Sequence, residues 1–362
     1  MGGSVRRVET FRFMHWAKRH VRAHKWCLGA SGMAAPSPEE YPPSPARYGG
    51  PNFHGLEELR TAVAGAYGAD LDGVLVTEGT SLANYAVLAT LAGPGDRVLV
   101  ETPTYPPLHE IPRFHGAAVE RIPRRPENGW QPSLAEVERA TRTPVAAVVL
   151  TRLHNPTGAD LTDTFLTGLA ELAAERDFRV LLDEVFLDFA ESARPGFAYS
   201  PNFFSTASLT KVYGFGGLRV GWVLGNPEAL APVKEFSFYL AVDGSHGSQA
   251  TGVRVLADRE SFRRKAREAA MRGTAALSEW IESRDDVSWV RPAAGINAFL
   301  RLRHVPDTAS FAERLSAERG VVVAGGEHFG QPGWVRVSVG GQEETVRGAL
   351  HRLGEALDER RG

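Results

Sequence analysis

From about residue 46 onward the chain alternates between short, unbroken apolar runs and amphipathic stretches. Val98-Leu99-Val100, Val145-Ala146-Ala147-Val148-Val149-Leu150 and Val180-Leu181-Leu182 have the length and uniform hydrophobicity of strands buried on both faces. Between them lie stripes at helical spacing, for example Phe165, Leu166, Leu169, Leu172 and Ala173. This alternation predicts an α/β fold with a mostly parallel sheet. After about residue 260 the texture changes. A charged helical segment, Arg263 to Glu282, leads into strand-like Ala298-Phe299-Leu300-Arg301-Leu302, Val321-Val322-Val323 and Val335-Arg336-Val337-Ser338-Val339. A last helix then carries Val346, Leu350, Leu353 and Leu357 on one side, so a smaller α+β lobe is expected here. Pro36, Pro38, Pro42, Pro43 and Pro45 break regular structure near the start, as a linker or an active-site border would.

The first 26 residues carry seven Lys/Arg against the single Glu9, with Phe11, Phe13, Trp16 and Trp26 among them. Phe11, Met14, Ala17 and Val21 fall at helical spacing and leave Lys18, Arg19 and Arg22 on other faces. A helix docked on its own or a neighbouring subunit is expected, with a transit peptide or a nucleic-acid arm as alternatives. Composition narrows the class. The chain has 362 residues, 43% hydrophobic and 23% charged, enough for two lobes with a sizeable core. A formal net charge of -2 argues against a general nucleic-acid or membrane partner. The single cysteine, Cys27, leaves no intrachain disulfide, which fits a reducing, cytoplasmic setting. No apolar stretch has the length of a membrane-spanning helix, and the first apolar residues are interleaved with Arg and Lys, unlike a secretory signal.

The most informative run is Ser208-Leu209-Thr210-Lys211-Val212-Tyr213-Gly214-Phe215-Gly216-Gly217-Leu218-Arg219. A lysine between small hydroxyl residues and a glycine-rich turn suits a loop that presents an amine beside a phosphate. Eight residues on, the Arg219 guanidinium has the geometry to hold that phosphate with two prongs. Glu78-Gly79-Thr80-Ser81 follows strand-like Val74-Leu75-Val76 and precedes a helical run, Leu82-Ala83-Asn84-Tyr85-Ala86. Free N–H groups at a helix start with adjacent hydroxyls form an anion site. Upstream marks are Asn155 in His154-Asn155-Pro156-Thr157-Gly158 and Asp183 in Leu181-Leu182-Asp183-Glu184-Val185-Phe186. Asp183 closes an apolar strand, where an ionised carboxylate is costly without a partner.

The ordered set Asn155, Asp183, Lys211, Arg219 resembles the fold-type I pyridoxal-phosphate enzymes, the class I/II aminotransferase family. The resemblance runs from about Cys27-Leu28-Gly29 to the C-terminal helix. It implies a large cofactor-binding domain over residues 46–260 with a seven-stranded-type sheet, and a small domain of residues 1–45 and 261–362. It implies pyridoxal 5'-phosphate as cofactor, with Lys211 in a Schiff base and carrying protons to and from the substrate α-carbon. Arg219, Gly79, Thr80, Ser81 and Ser208 would hold the phosphate. Asp183 would pair with the protonated pyridine nitrogen, Asn155 would lie near the ring oxygen, and Tyr105, in Thr102-Pro103-Thr104-Tyr105-Pro106, would stack on the ring. The Asn155–Pro156 bond is of the type that can be cis. Arg336 would grip an α-carboxylate, which makes the substrate an α-amino acid, and Tyr48 would reach the neighbouring subunit's site in a homodimer. No metal ligands are implied. The basic, aromatic N-terminal segment is a candidate lining of the substrate entrance.

One residue departs from the family pattern. Phe186 stands where the family commonly has tyrosine, so a more basic Schiff base is expected. The leading function is ping-pong amino transfer from an α-amino acid to a 2-oxo acid. Elimination or cyclisation by a lyase or cyclase is the alternative within the same chemistry. A non-catalytic ligand sensor is the alternative outside it, and fewer than about 50 residues precede the lobe, too few for a winged helix.

Overall fold

The computed structural model describes residues 8–21, 23–45, 49–192 and 194–360. Its main sheet has seven strands in the order Val74–Thr77, Gly221–Leu224, Phe203–Ser208, Arg179–Asp183, Ala147–Thr151, Arg97–Thr102, Ala118–Pro123. All neighbours pair in parallel except Gly221–Leu224, which runs antiparallel to both of its partners. Side chains alternate across this sheet with a period of two. Val98, Val100, Ala147, Val149, Leu181, Phe204 and Val223 face the helices Thr80–Leu91 and Pro227–Leu240. Leu99, Val148, Leu150, Val180, Leu182 and Phe203 face the helix Asp163–Arg176, whose Phe165, Leu166, Leu169, Leu172 and Ala173 form the expected stripe. With both faces covered, the strands read as continuous apolar runs rather than alternating ones.

A second, antiparallel sheet is ordered Ala324–Gly325, Trp334–Ser338, Asn297–Leu302, Val287–Trp289. Its core gathers residues of the helices Arg259–Glu282, Thr308–Arg319 and Glu343–Asp358, including Val346, Leu350, Leu353 and Leu357. The N-terminal segment joins this body. Trp26 and Cys27 pair in parallel with Val321 and Val322, Leu28 N–H donates to the Val322 carbonyl at 2.9 Å, and Ser338 N–H donates to the Leu28 carbonyl at 2.7 Å.

The N-terminal helix forms over Arg12–His20, but its buried face is Phe13 and Trp16 rather than the stripe of Phe11, Met14, Ala17 and Val21. The large rings decide the rotation. Phe13 and Trp16 stack at 5.7 Å and dock on Phe329 and His328, while Phe11, Ala17 and Val21 pack only at the margin of that cluster. Among the described residues no helix is long and apolar enough to cross a membrane.

Candidate active site

The parallel strands all end along one edge of the main sheet, which is where ligands bind in open α/β folds. Gly79 and Thr80 follow Val74–Thr77, Tyr105 follows Arg97–Thr102, Asn155 follows Ala147–Thr151, Asp183 ends Arg179–Asp183, and Lys211 follows Phe203–Ser208. The topology therefore gathers residues spread over more than a hundred positions of chain onto one edge.

The phosphate-type cradle is tight. Gly79 has φ +87 and is the residue before the helix Thr80–Leu91, and no side chain caps that helix. A Cβ on Gly79 would stand 2.4 Å from an Arg219 guanidinium nitrogen, and a Cβ on Gly221 would stand 2.6 Å from the Gly79 carbonyl carbon. Glycine is needed at both places for the backbone and arginine to come this close. Arg219, itself at φ +53, donates to the Glu78 carbonyl at 3.0 Å and keeps an exposed guanidinium. The buried Thr80 hydroxyl has no hydrogen-bond partner among the described residues. An uncapped helix start, an exposed guanidinium and an orphaned hydroxyl fit a phosphate group. Ser81 is exposed on the same turn, whereas the Ser208 hydroxyl is buried and accepts from Thr210 N–H at 3.3 Å.

Asp183 is buried, and desolvation pushes its carboxyl up against the opposing effects of Asn84, Val185 N–H and Lys211. Asn84 Nδ2 donates to Asp183 Oδ2 at 2.8 Å, and Thr206 Oγ1 donates to Asn84 Oδ1 at 2.6 Å. The sequence did carry a signal for Asn84, a lone polar residue on the otherwise apolar helix run Ala83, Ala86, Val87, Leu88. A proton on a ligand ring nitrogen would give the carboxylate the charged partner it lacks.

Lys211 Nζ donates to Ser31 Oγ at 2.8 Å and lies 5.9 Å from the centre of the Phe186 ring. Burial, followed by the nearby Arg336 charge, pushes this amine down to about 8, with Asp183 opposing. The loop that carries Phe186 is anchored by Asp188, which accepts from Tyr67 and Tyr213 hydroxyls and pairs with Arg259 at 2.7 Å.

Arg336 is fully buried and lies between the rings of Phe13, 5.3 Å away, and Phe329, 5.2 Å away. It donates to Asn155 Oδ1 at 3.0 Å and to the Gly29 carbonyl at 2.8 Å, and its Nε has no partner among the described residues. Burial pushes its guanidinium down to about 10. The other buried arginines among the described residues each have a carboxylate: Arg124 with Glu101 at 2.8 Å, Arg152 with Asp160 at 3.0 Å, Arg263 with Glu260 at 2.6 Å. Among the described residues no carboxylate pairs with Arg336.

Tyr105 lies against Phe11 and Phe13, with ring centres 5.8 and 6.1 Å away, and burial pushes its hydroxyl up to about 12. The Tyr105 and Asn155 loops are tied together by His154, whose Nε2 is 2.9 Å from the Pro103 carbonyl and whose Nδ1 is 2.8 Å from Thr157 Oγ1. The cis bond in this region is Thr102–Pro103; Asn155–Pro156 is not cis. An X–Pro bond is permitted to be cis, but nothing in the Asn155–Pro156 dipeptide requires it. Tyr48 lies outside the described residues. Sequence reasoning missed Ser31, Phe329, Asn84 and the Gly29 carbonyl as members of the site, and it read Phe13 only as part of a possible entrance lining.

This strand-end site, with a phosphate cradle, a carboxylate and a lysine, is that of a fold-type I pyridoxal-phosphate enzyme. The pattern of the family "Aminotransferase class I and II" matches residues 44–353. An aspartate/prephenate aminotransferase of Thermus thermophilus is 29% identical over 316 residues, 84% of this chain and 82% of the relative. The structure of a PLP-dependent aminotransferase from Streptococcus suis superposes with a TM-score of 0.91 at 26% identity, over 98% of this chain and 99% of that one. A PLP-dependent cyclase, OrfR, superposes with a TM-score of 0.87 at 26% identity, over 99% of both chains. The chain belongs to the class I and II aminotransferase family. It is an enzyme of amino-group transfer, and its cofactor is pyridoxal phosphate.

Proposed function

We propose that this enzyme moves the amino group of an α-amino acid to a 2-oxo acid by a ping-pong route, with Lys211 as cofactor attachment point and proton carrier. The observation that carries the substrate class is Arg336, a buried cation for which the described residues supply no anion. A guanidinium has five N–H donors, of which one goes to Asn155 and one to Gly29. The remaining donors, Nε among them, suit a substrate α-carboxylate, whose charge relieves the burial of the arginine.

In this reading Arg219, Thr80, Ser81, Ser208 and the N–H groups after Gly79 hold the cofactor phosphate. Asp183, aimed by Asn84 and Thr206, keeps the proton on the ring nitrogen. Tyr105 stacks on the ring, and Asn155 lies beside its oxygen while it accepts from Arg336. Pyridoxal phosphate supplies a ring that takes up the charge left at the substrate α-carbon. Lys211 Nζ takes a proton from that carbon and returns it. An amine held near 8 has a substantial neutral fraction at physiological pH, as a proton acceptor needs. Phe13 and Phe329 cover Arg336 and exclude water from the carboxylate contact.

The domain division at residues 46–260, with residues 1–45 and 261–362 closing over the substrate, belongs to the same proposal. A homodimer is supported by exposed Val242, which shares a cavity with Phe238 and Arg219, and by exposed Phe53, whose ring lies 5.5 Å from that of Phe238. The reach of Tyr48 to a partner's site belongs to the same proposal, and light scattering on the holoenzyme tests the assembly. The cytoplasm is the proposed compartment. A second reading, cyclisation or elimination at the same site, is favoured by the likeness to the cyclase over nearly the whole chain. Absorbance spectra of the holoenzyme with a panel of L-amino acids decide between them. Conversion to the pyridoxamine form by one amino acid is the expected result. Ammonia released with no acceptor present would favour the second reading.

A further inference from the structure

With Phe186 in place of the usual tyrosine, a different hydroxyl stands beside the lysine. Ser31 Oγ accepts from Lys211 Nζ at 2.8 Å. The contact is part of a longer clamp. Met33 N–H donates to the Lys211 carbonyl at 2.8 Å, and a Cβ on Gly32 would stand 3.3 Å from the Thr210 carbonyl oxygen and 3.5 Å from Lys211 Cα and Cδ. Residues 31–33 thus follow the lysine from its amine to its carbonyl. The same segment is fixed upstream by the pairing of Trp26 and Cys27 with Val321 and Val322, and by the Gly29 carbonyl on Arg336. One short stretch touches both the amine and the arginine assigned to the substrate carboxylate.

We propose that Ser31 is the positioning residue of the reacting amine: its hydroxyl holds Lys211 Nζ whenever that nitrogen is free of the cofactor, and so sets the direction in which it takes and returns a proton. This inference rests on the reading of Lys211 given above. The neutral amine takes up one proton at its lone pair, becomes an ammonium, and gives one proton up again. Ser31 Oγ accepts from an N–H in both states, more strongly from the ammonium, and undergoes no net proton change. The charged groups that act on this nitrogen are Arg336, Asp183 and Arg219. The Phe186 ring centre, 5.9 Å away, offers a diffuse attraction with little directional preference. Ser31 is the directional contact.

The test compares the holoenzyme with Ser31→Ala, Ser31→Thr and Ser31→Val. Borohydride reduction and peptide mapping first locate the cofactor linkage. The primary isotope effect with an α-deuterated amino acid then reads the proton step. Acylation of Lys211 in the cofactor-free protein across pH reads the amine itself. In Ser31→Ala, kcat is expected to fall about 10- to 100-fold, with a larger isotope effect and a cofactor dissociation constant within about two-fold of wild type. The labelling midpoint should move down by about half a pH unit or more, because the ammonium loses an acceptor. Ser31→Thr should recover most of the loss, and Ser31→Val, of the same shape without the hydroxyl, should not. Linkage at Lys211 with an unchanged isotope effect and labelling midpoint in Ser31→Ala would overturn the role of Ser31. Equal behaviour of the Thr and Val variants would overturn it as well. Linkage at another lysine would instead overturn the reading of Lys211.

Discussion

The wall proposed to face the cofactor and the wall proposed to face the substrate are built on different plans. The first consists of strand ends: Gly79, Asp183, Ser208 and Lys211 each lie at or within three residues of the end of a strand in one sheet. The second is assembled from remote pieces. Arg336 comes from the antiparallel sheet, Asn155 from the main sheet, Gly29 from the N-terminal segment, and the covering rings from Phe13 and Phe329. A carbonyl 307 positions away helps to orient the arginine. One sheet sets the cofactor wall, and only the joining of the N-terminal segment and the antiparallel sheet to it creates the substrate wall.

Substitutions can break or sharpen this contrast. Lys211→Ala strikes the point where the walls meet, and amino transfer should fall by on the order of 10³- to 10⁴-fold, with loss of the borohydride-trapped adduct. Arg336→Ala should raise KM for the amino acid by about 100-fold, the loss of a bidentate charged contact, while the cofactor dissociation constant stays within about two-fold of wild type. A large loss of cofactor affinity would mean that the walls are not separable. Arg219→Ala should do the converse, raising the cofactor dissociation constant about 10- to 100-fold and leaving KM at saturating cofactor near its starting value. The amine must be neutral to condense with the cofactor. The rate of cofactor capture should therefore rise about ten-fold per pH unit below the amine's midpoint of about 8 and level off above it, as stopped-flow absorbance would show. The smallest effect is expected from Phe186→Tyr, which restores one hydrogen bond to the cofactor's ring oxygen. It should lower the absorbance transition of the bound cofactor by about one pH unit. An ordinary acidic transition already present in the wild type would remove the basis for that prediction.

What could be read from the sequence follows the same division. Strands such as Arg179–Asp183 announced themselves because burial on both faces makes Val180, Leu181 and Leu182 a continuous apolar run, which leaves the terminal Asp183 conspicuous. Lys211 and Arg219 stood out because they flank a glycine-rich turn, and Gly79 because it falls between a strand-like run and a helical one. Ser31 carried no such mark, since a serine in a loop rich in glycine and alanine is unremarkable until the fold lays it against the amine. The Gly29 carbonyl is a backbone group that any sequence possesses. The N-terminal helix was legible as a helix but not in its rotation. Periodicity proposed Phe11, Met14, Ala17 and Val21, and the larger rings of Phe13 and Trp16 claimed the interior. Hydrophobic spacing identifies an amphipathic helix, but which stripe is buried depends on the shape of the surface it meets.

The pairing of Trp26 and Cys27 with Val321 and Val322 also bears on synthesis. The last strand of the main sheet, Gly221–Leu224, emerges roughly 100 residues before Val321 exists, about 5–20 s at ordinary rates of elongation. Throughout that interval the aromatic N-terminal helix lacks the strand beside which it docks, and a chain growing on the ribosome must keep Phe13 and Trp16 from other partners. A polypeptide released just before residue 321 would contain the sequence of all seven strands of the main sheet but lack Arg336 and Phe329 from the opposite wall.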